Sequence, residues 1–199
     1  MFFEPAKADH GLPHNPFKAL VAPRPIGWIS TVSPGGAPNL APYSYFNAIA
    51  DSPPVVVFSS SGVKDSADNA EKTGEFVCNI ATYELRHAMN HTSAAVDADV
   101  DEFAMAGLTP VASQMVAPPR VGESPAALEC RVINILALDG LVDQPCSSVV
   151  VFGQVVGIHI DDKFLVDGLL DVEKYQPLAR LGYFDYSRVD TVFSITRPT

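Results

Sequence analysis

Short runs of apolar, β-branched and aromatic residues set the rhythm of this chain, each broken by glycine, proline, aspartate or asparagine. The pattern predicts strands over Gly27–Val32, Leu40–Tyr45, Val55–Ser60, Glu75–Ile80, Ala127–Leu138, Ser148–Ile160 and Thr191–Thr196. Ser33-Pro34-Gly35-Gly36 is a turn sequence, so the first two strands form a hairpin. The two longest strands flank a Gly/Pro/Asp-bearing connection and pair antiparallel, bent at Gly153 and Gly157. Helical spacing is scarcer. It is found over Asp65–Lys72, stopped by Gly74, over Tyr83–His91, and over Val172–Leu181. Many strands with few helices predict a mainly β fold, an antiparallel barrel of about six strands with peripheral helices. Residues 1–22 lack rhythm and read as an N-terminal arm anchored by Phe17 and Leu20. Residues 23–199 read as one domain.

Composition narrows the possible partners. Thirteen basic against 23 acidic side chains leave a net charge of −10, a field that disfavours nucleic acid and anionic lipid. No apolar run is long enough for a membrane helix, and the start of the chain lacks a secretory pattern. Cys78, Cys130 and Cys146 show no CxxC spacing, which predicts reduced, buried thiols and a cytoplasmic protein. The apolar run Val149-Val150-Val151-Phe152 exceeds what one barrel buries and predicts a homodimer.

Several familiar chemistries are missing. There is no GxGxxG, GxxxxGK[ST] or GxSxG. His87 and His91 share a helical face, but Ala88 stands where a zinc protease needs Glu, so no metal is expected there. Asp97, Asp99 and Asp101 alternate as in a calcium loop, but Glu102 replaces the required glycine and Leu108 the bidentate Glu. The exit of the third strand carries more chemistry. Ser59-Ser60-Ser61-Gly62-Val63-Lys64-Asp65-Ser66 brings hydroxyls, a glycine and a lysine to the start of a helix. Such a concavity suits an anion, although an ordinary helix cap uses the same residues. Asn39–Asn47 mixes aromatic with small polar side chains. As one strand it places Ser44 and Phe46 on one face and Tyr43, Tyr45 and Asn47 on the other, fit either for a flat heterocycle or for a half-buried surface.

In order and spacing, several segments resemble the flavin reductase-like proteins. They are Arg24-Pro25-Ile26-Gly27-Trp28-Ile29-Ser30-Thr31, Asn39–Asn47, Pro53-Pro54 and Phe58–Asn69. Gly74–Asn79, Asp101-Glu102-Phe103, Ala106-Gly107-Leu108 and Pro177–Gly182 continue the likeness. The resemblance spans roughly residues 17–197 and is closest to the flavoredoxin-like branch, which includes reductase components of two-component monooxygenases. It implies a split antiparallel β-barrel of the FMN-binding type. The implied activity is an NAD(P)H-dependent flavin reductase passing hydride from nicotinamide to FMN. An FMN-bound electron carrier and a non-catalytic barrel for a phosphate ligand stand as alternatives. The implied partners are a second copy of the chain and a flavin-dependent monooxygenase or other electron acceptor.

Carried over residue by residue, the resemblance places Thr31, Ser44, Phe46 and Asn47 on the flavin rings and ribityl chain. Ser59, Ser60, Lys64, Asp65 and Ser66 surround the phosphate. Arg24 reaches the flavin edge and Asn69 joins the same set. No side chain is assigned as a catalytic acid or base, because the flavin supplies the chemistry. The chain departs from its relatives at Tyr183, where they often carry a second glycine after the one matching Gly182.

Overall fold

The computed structural model describes residues 1–198. Its centre is one antiparallel sheet of seven strands: β1 (Gly27–Val32), β2 (Pro38–Tyr43), β3 (Phe46–Asp51), β4 (Pro54–Ser61), β5 (Glu75–Ile80), β6 (Ala126–Ala137) and β7 (Ser148–Ile160). The order across the sheet is β2-β1-β5-β6-β7-β4-β3. The two edge strands, β2 and β3, are therefore consecutive in the chain, with only Ser44 and Tyr45 between them. Two residues reach only a few ångströms, so the sheet must curl until its edges meet at that corner. The ladder stops there, leaving a barrel split along one seam. Ser59 N–H donates to the Tyr45 carbonyl at 2.8 Å and fastens the corner to β4. Gly27 allows the closest approach across the seam, since a Cβ on it would stand 2.5 Å from the Phe46 ring.

Side-chain alternation on the curled sheet produces two cores. Inside the barrel, Ile29, Tyr43, Phe58, Phe76, Cys130 and Val151 pack around helix α1 (Asp65–Thr73), which buries Ala67 and Ala70. Outside it, neighbouring positions such as Trp28 and Leu40 pack with Met89 of helix α2 (Arg86–His91) and Phe103 of helix α3 (Glu102–Ala106). Strand β7 shifts register against β6 between Phe152 and Gly153 and between Val155 and Gly157, the bends read from its glycines. At Gly153 a Cβ would lie 2.3 Å from the Phe76 ring, so the barrel wall tolerates only glycine there without displacing a fully buried aromatic.

The hairpin at Ser33–Gly36 and the helix at Asp65 form as the sequence predicts. Four readings are corrected. Leu40–Tyr45 is not one strand: the chain turns at Ser44–Tyr45 and starts a new strand at Phe46, so the proposed two-faced arrangement of Ser44 to Asn47 does not exist. Val172–Leu181 is helical only over Val172–Tyr175, because Gln176 takes a left-handed φ of 47° before Pro177, and a residue before proline resists the α conformation. Leu178–Arg180 then pairs as a strand with Arg24–Pro25 and with Tyr186–Arg188. Thr191–Thr196 has no strand partner and runs without regular structure. Phe17 and Leu20 are exposed rather than anchored. The arm is held instead by the buried Arg24 guanidinium, which donates to the carbonyls of Lys18, Val21 and Leu181.

Cys78 and Cys130 are buried, whereas Cys146 lies exposed between β6 and β7. Burial pushes the Cys78 thiol up to about 12 and raises Cys130 as well, so neither is a ready thiolate. Among the described residues no helix is long and apolar enough to cross a membrane.

Candidate functional site

A cleft of about 460 Å3 opens beside the corner where the barrel edges meet. One wall is the end of β2 with Ser44 and Tyr45. A second is the exit of β4 and the start of α1, with Ser59, Ser61, Lys64, Asp65 and Ser66. The third is the segment after α2, Thr92 to Val96, with Glu102 beside it. The chain builds this place locally. Strand β4 ends in serines, Gly62 takes a φ of +78°, and the backbone turns straight into α1. Helix α1 has no side-chain cap at its N-terminus. Its first amide donors therefore lack an internal partner on the cleft side, which is the condition for anion binding at a helix start. Lys64 is exposed at the same edge and forms no ion pair among the described residues.

Two buried amides hold this helix end in position. Asn39 donates to Ser66 Oγ at 2.9 Å, and Asn69 donates to Thr31 Oγ1 at 3.1 Å, tying α1 to β2 and β1. The Tyr43 phenol sits against the Ser66 and Ser60 hydroxyls. Burial raises its pKa, those hydroxyls oppose the rise, and Asp65 and Glu102 add to it. Ser60 Oγ, fully buried, completes no hydrogen bond of its own. The trunk of the site is thus a polar layer with the helix start as its outer end.

Of the eleven residues assigned to the site, Ser44, Ser59, Lys64, Asp65 and Ser66 come together on the cleft. Thr31, Ser60 and Asn69 are buried and do not line the cleft; Thr31 and Asn69 pair to hold the helix. Phe46 packs on Gly27 across the seam, and Asn47 is exposed on the edge strand with its Oδ1 accepting the Ala48 N–H. Arg24 does not line the cleft. Three carbonyls take its guanidinium, whose carbon lies 5.9 Å from the centroid of the Tyr45 ring. Sequence reasoning missed the wall from Thr92 to Val96, which has no motif; Thr92 accepts from Trp28 Nε1 at 2.9 Å, and Ser93 Oγ donates to the Asn90 carbonyl at 2.6 Å. Of the three alternating aspartates, Asp101 is the N-cap of α3, accepting from Phe103 and Ala104 N–H, while Asp97 and Asp99 are exposed.

Glu102 was visible in the sequence only as part of a longer match, and the structure gives it a definite place. It is buried, and its Oε2 accepts the Leu40 N–H at 3.0 Å. Burial raises its pKa; the hydrogen bonds oppose this, and Asp65 and Asp101 reinforce it. The folded protein therefore holds this proton more tightly than the unfolded chain does. Its stability falls as pH rises from the ordinary carboxylate range through the raised folded value. Glu102→Gln removes the charge and keeps an acceptor for Leu40. The variant is expected to melt above the parent at pH 7, with the gap closing toward pH 4. A variant that melts lower at pH 7 would show that the ionised carboxylate is itself stabilising.

The fold is a split β-barrel with a cleft at the corner where its edges meet. A family model for the flavin reductase like domain matches residues 20–179, and the chain belongs to that family. An uncharacterized protein of Aquifex aeolicus is 38% identical over 169 residues, covering 82% of this chain and 83% of its own. Nitrilotriacetate monooxygenase component B from Bacillus cereus superposes with a TM-score of 0.88 at 29% identity, over 98% of both chains. Flavoredoxin of Desulfovibrio vulgaris (Miyazaki F) shares the fold, with a TM-score of 0.79 at 22% identity over 88% of this chain and 91% of its own.

Proposed function

We propose that this chain is an FMN-binding oxidoreductase that takes hydride from NAD(P)H, with the flavin phosphate on the helix start at Lys64–Ser66. The observation that carries the reading is the convergence of an uncapped helix, an unpaired lysine and cleft-lining serines in a chain of net charge −10. A dianion is favoured at such a spot against the repulsion of the whole chain's negative charge. The residues present fit the group. Ser59, Ser61 and Lys64 offer side-chain donors, and Asp65 and Ser66 act through backbone N–H groups. Ser44 and Tyr45 at the barrel corner bound the space left for the rings, with Phe46 and Asn47 following along the edge strand.

When bound, FMN supplies the hydride-accepting chemistry. The chain's own work is to bind, orient and shield. Asn39 and Asn69 fix the helix against the barrel, Lys64 neutralises charge, and the Thr92–Val96 wall narrows access for water. A direct hydride transfer between two cofactors needs no protein acid or base in line. Anaerobic addition of NADH or NADPH to the FMN-loaded protein is expected to bleach its visible absorption. A spectrum that stays oxidised with both donors overturns the reductase reading and favours the electron-carrier reading that the likeness to a flavoredoxin suggests.

The assembly proposed is a homodimer. Ile133 and Leu136 on β6, Ile158 and Ile160 on β7, and Ile49 on β3 are all exposed in the single chain. Strand β3 also has a free edge, which invites pairing or burial. Light scattering at micromolar concentration is expected to give twice the 21.3 kDa chain mass. The monomer mass overturns this. A monooxygenase that consumes reduced flavin is the proposed recipient, by likeness to a monooxygenase component B.

A further inference from the structure

Helix α2 separates the cleft from a second pocket of about 520 Å3. Thr92 and Ser93, just past the helix, face the first; Arg86, Met89 and Asn90, within it, line the second. The other side of this pocket is the hairpin strand Tyr186–Arg188. Its chemistry is unlike the rest of the surface. The Arg86 and Arg188 guanidinium carbons both lie on the Tyr83 ring, 4.1 and 4.4 Å from its centroid. A third guanidinium, of Arg180, lies 4.4 Å from the centroid of Tyr186. His87 faces the same space, and Met89 and Leu178, both buried, form its floor.

Three guanidiniums contact two tyrosines that line this pocket, and the partners present offset little of their charge. Arg188 Nε pairs with Asp190 at 3.0 Å, an exposed pair of small worth, and its Nη1 reaches Gln176 at 3.3 Å. Arg86 donates Nη1 to the Tyr83 carbonyl at 2.7 Å, and Arg180 donates Nη2 to the Tyr183 carbonyl at 2.5 Å. Neither has a carboxylate partner among the described residues. Donors are therefore left over on Arg86 and Arg188, at the wall of a pocket, in a chain with ten more acidic than basic side chains. Cation–π contact with a ring leaves a guanidinium's N–H groups able to donate elsewhere.

We infer that this pocket is a second ligand site, for a phosphate monoester of a nucleoside. Arg86 and Arg188 grip the phosphate through charge-assisted hydrogen bonds, and His87 adds a donor from the same rim. The base rests over Met89 and Leu178. A dianion satisfies two guanidiniums better than a single carboxylate does. The site does not depend on the flavin reading, because it shares no lining residue with the first cleft.

The test is calorimetric titration of the full-length protein with adenosine 2′-monophosphate, with adenosine and benzoate as comparison probes. The nucleotide is expected to bind saturably and adenosine not to bind. Arg86→Gln and Arg188→Gln are each expected to weaken binding roughly 10-fold or more, and Lys64→Ala to leave it unchanged. Circular dichroism and the FMN affinity of both arginine variants confirm that the fold and the first cleft are intact. Unchanged nucleotide affinity in both arginine variants overturns the site. A loss that follows Lys64 instead places the nucleotide in the first cleft and also overturns it. Benzoate binding tighter than the nucleotide overturns the assignment of a phosphate. A protein that binds the nucleotide at Arg86 but no FMN leaves this site standing and removes the flavin reading alone.

Discussion

Lys64→Ala is expected to weaken FMN binding roughly 10- to 150-fold, the equivalent of losing a charge-assisted hydrogen bond of about 1.5–3 kcal/mol. Lys64 is exposed and unpaired at the N-terminus of α1, so its removal breaks no contact of the fold. Lys64→Glu is expected to do worse, because it sets a third carboxylate beside Asp65 and Glu102 at the cleft. Riboflavin, without the phosphate, is expected to bind the parent weakly and to be nearly indifferent to Lys64→Ala. Lys72 is the control. It carries the same charge on the same helix but is held by Asp68 at 2.6 Å one turn back, and its loss is expected to leave FMN affinity unchanged. Equal FMN affinity in the parent and Lys64→Ala proteins would place the phosphate elsewhere.

The parts of this fold that show in the sequence are those whose cause is local. Glycine and proline mark the hairpin after β1, acidic first-turn residues and Gly74 bound α1, and the glycines of β7 mark its bulges. The candidate cleft corner is legible for the same reason, since its serines, glycine, lysine and helix start lie within eight consecutive residues, Ser59 to Ser66. What fails to show is set by distance along the chain. Strand β3 is mostly exposed and carries Asn47 and Asp51, so no alternation announces it; only its pairing with β4 makes it a strand. Thr191–Thr196 has the composition of a strand and no neighbour to pair with. Arg24 looks like a ligand-binding arginine in a motif, yet a carbonyl from Leu181, at the far end of the chain, helps to capture it. The roles of Asn39 and Asn69 likewise depend on α1 folding back over β1 and β2, which no spacing reveals.

Glu129→Ala is expected to lower stability by about 3–5 kcal/mol, a drop in melting temperature of about 6–20 °C for a domain of this size. Glu129 lies in the middle of β6 with no exposed surface, on the outer face of the barrel. Above it runs the irregular stretch from Ser113 to Pro119, which has no strand to pair with. Its backbone donors need other acceptors. Glu129 supplies two of these, taking the Gln114 N–H at 2.8 Å and the Met115 N–H at 2.5 Å, and it also engages His159 Nε2. Glu75 takes the Ala117 N–H at 2.8 Å, and Ser30 reaches the Pro119 carbonyl at 2.5 Å. One buried carboxylate is thus the central pin of a loop that closes the outer face. Burial opposes its ionisation, but the Gln114 N–H, His159 and the Met115 N–H together hold its pKa below the ordinary value. The folded protein therefore binds fewer protons at this site than the unfolded chain. The stability it contributes is full above the ordinary carboxylate range and is lost as pH falls through the lowered folded value. The melting temperatures of parent and Glu129→Ala proteins are accordingly expected to converge in acid and to differ most near neutrality. A gap as wide at pH 3 as at pH 7 would mean that the variant fails through its cavity rather than through the lost charge.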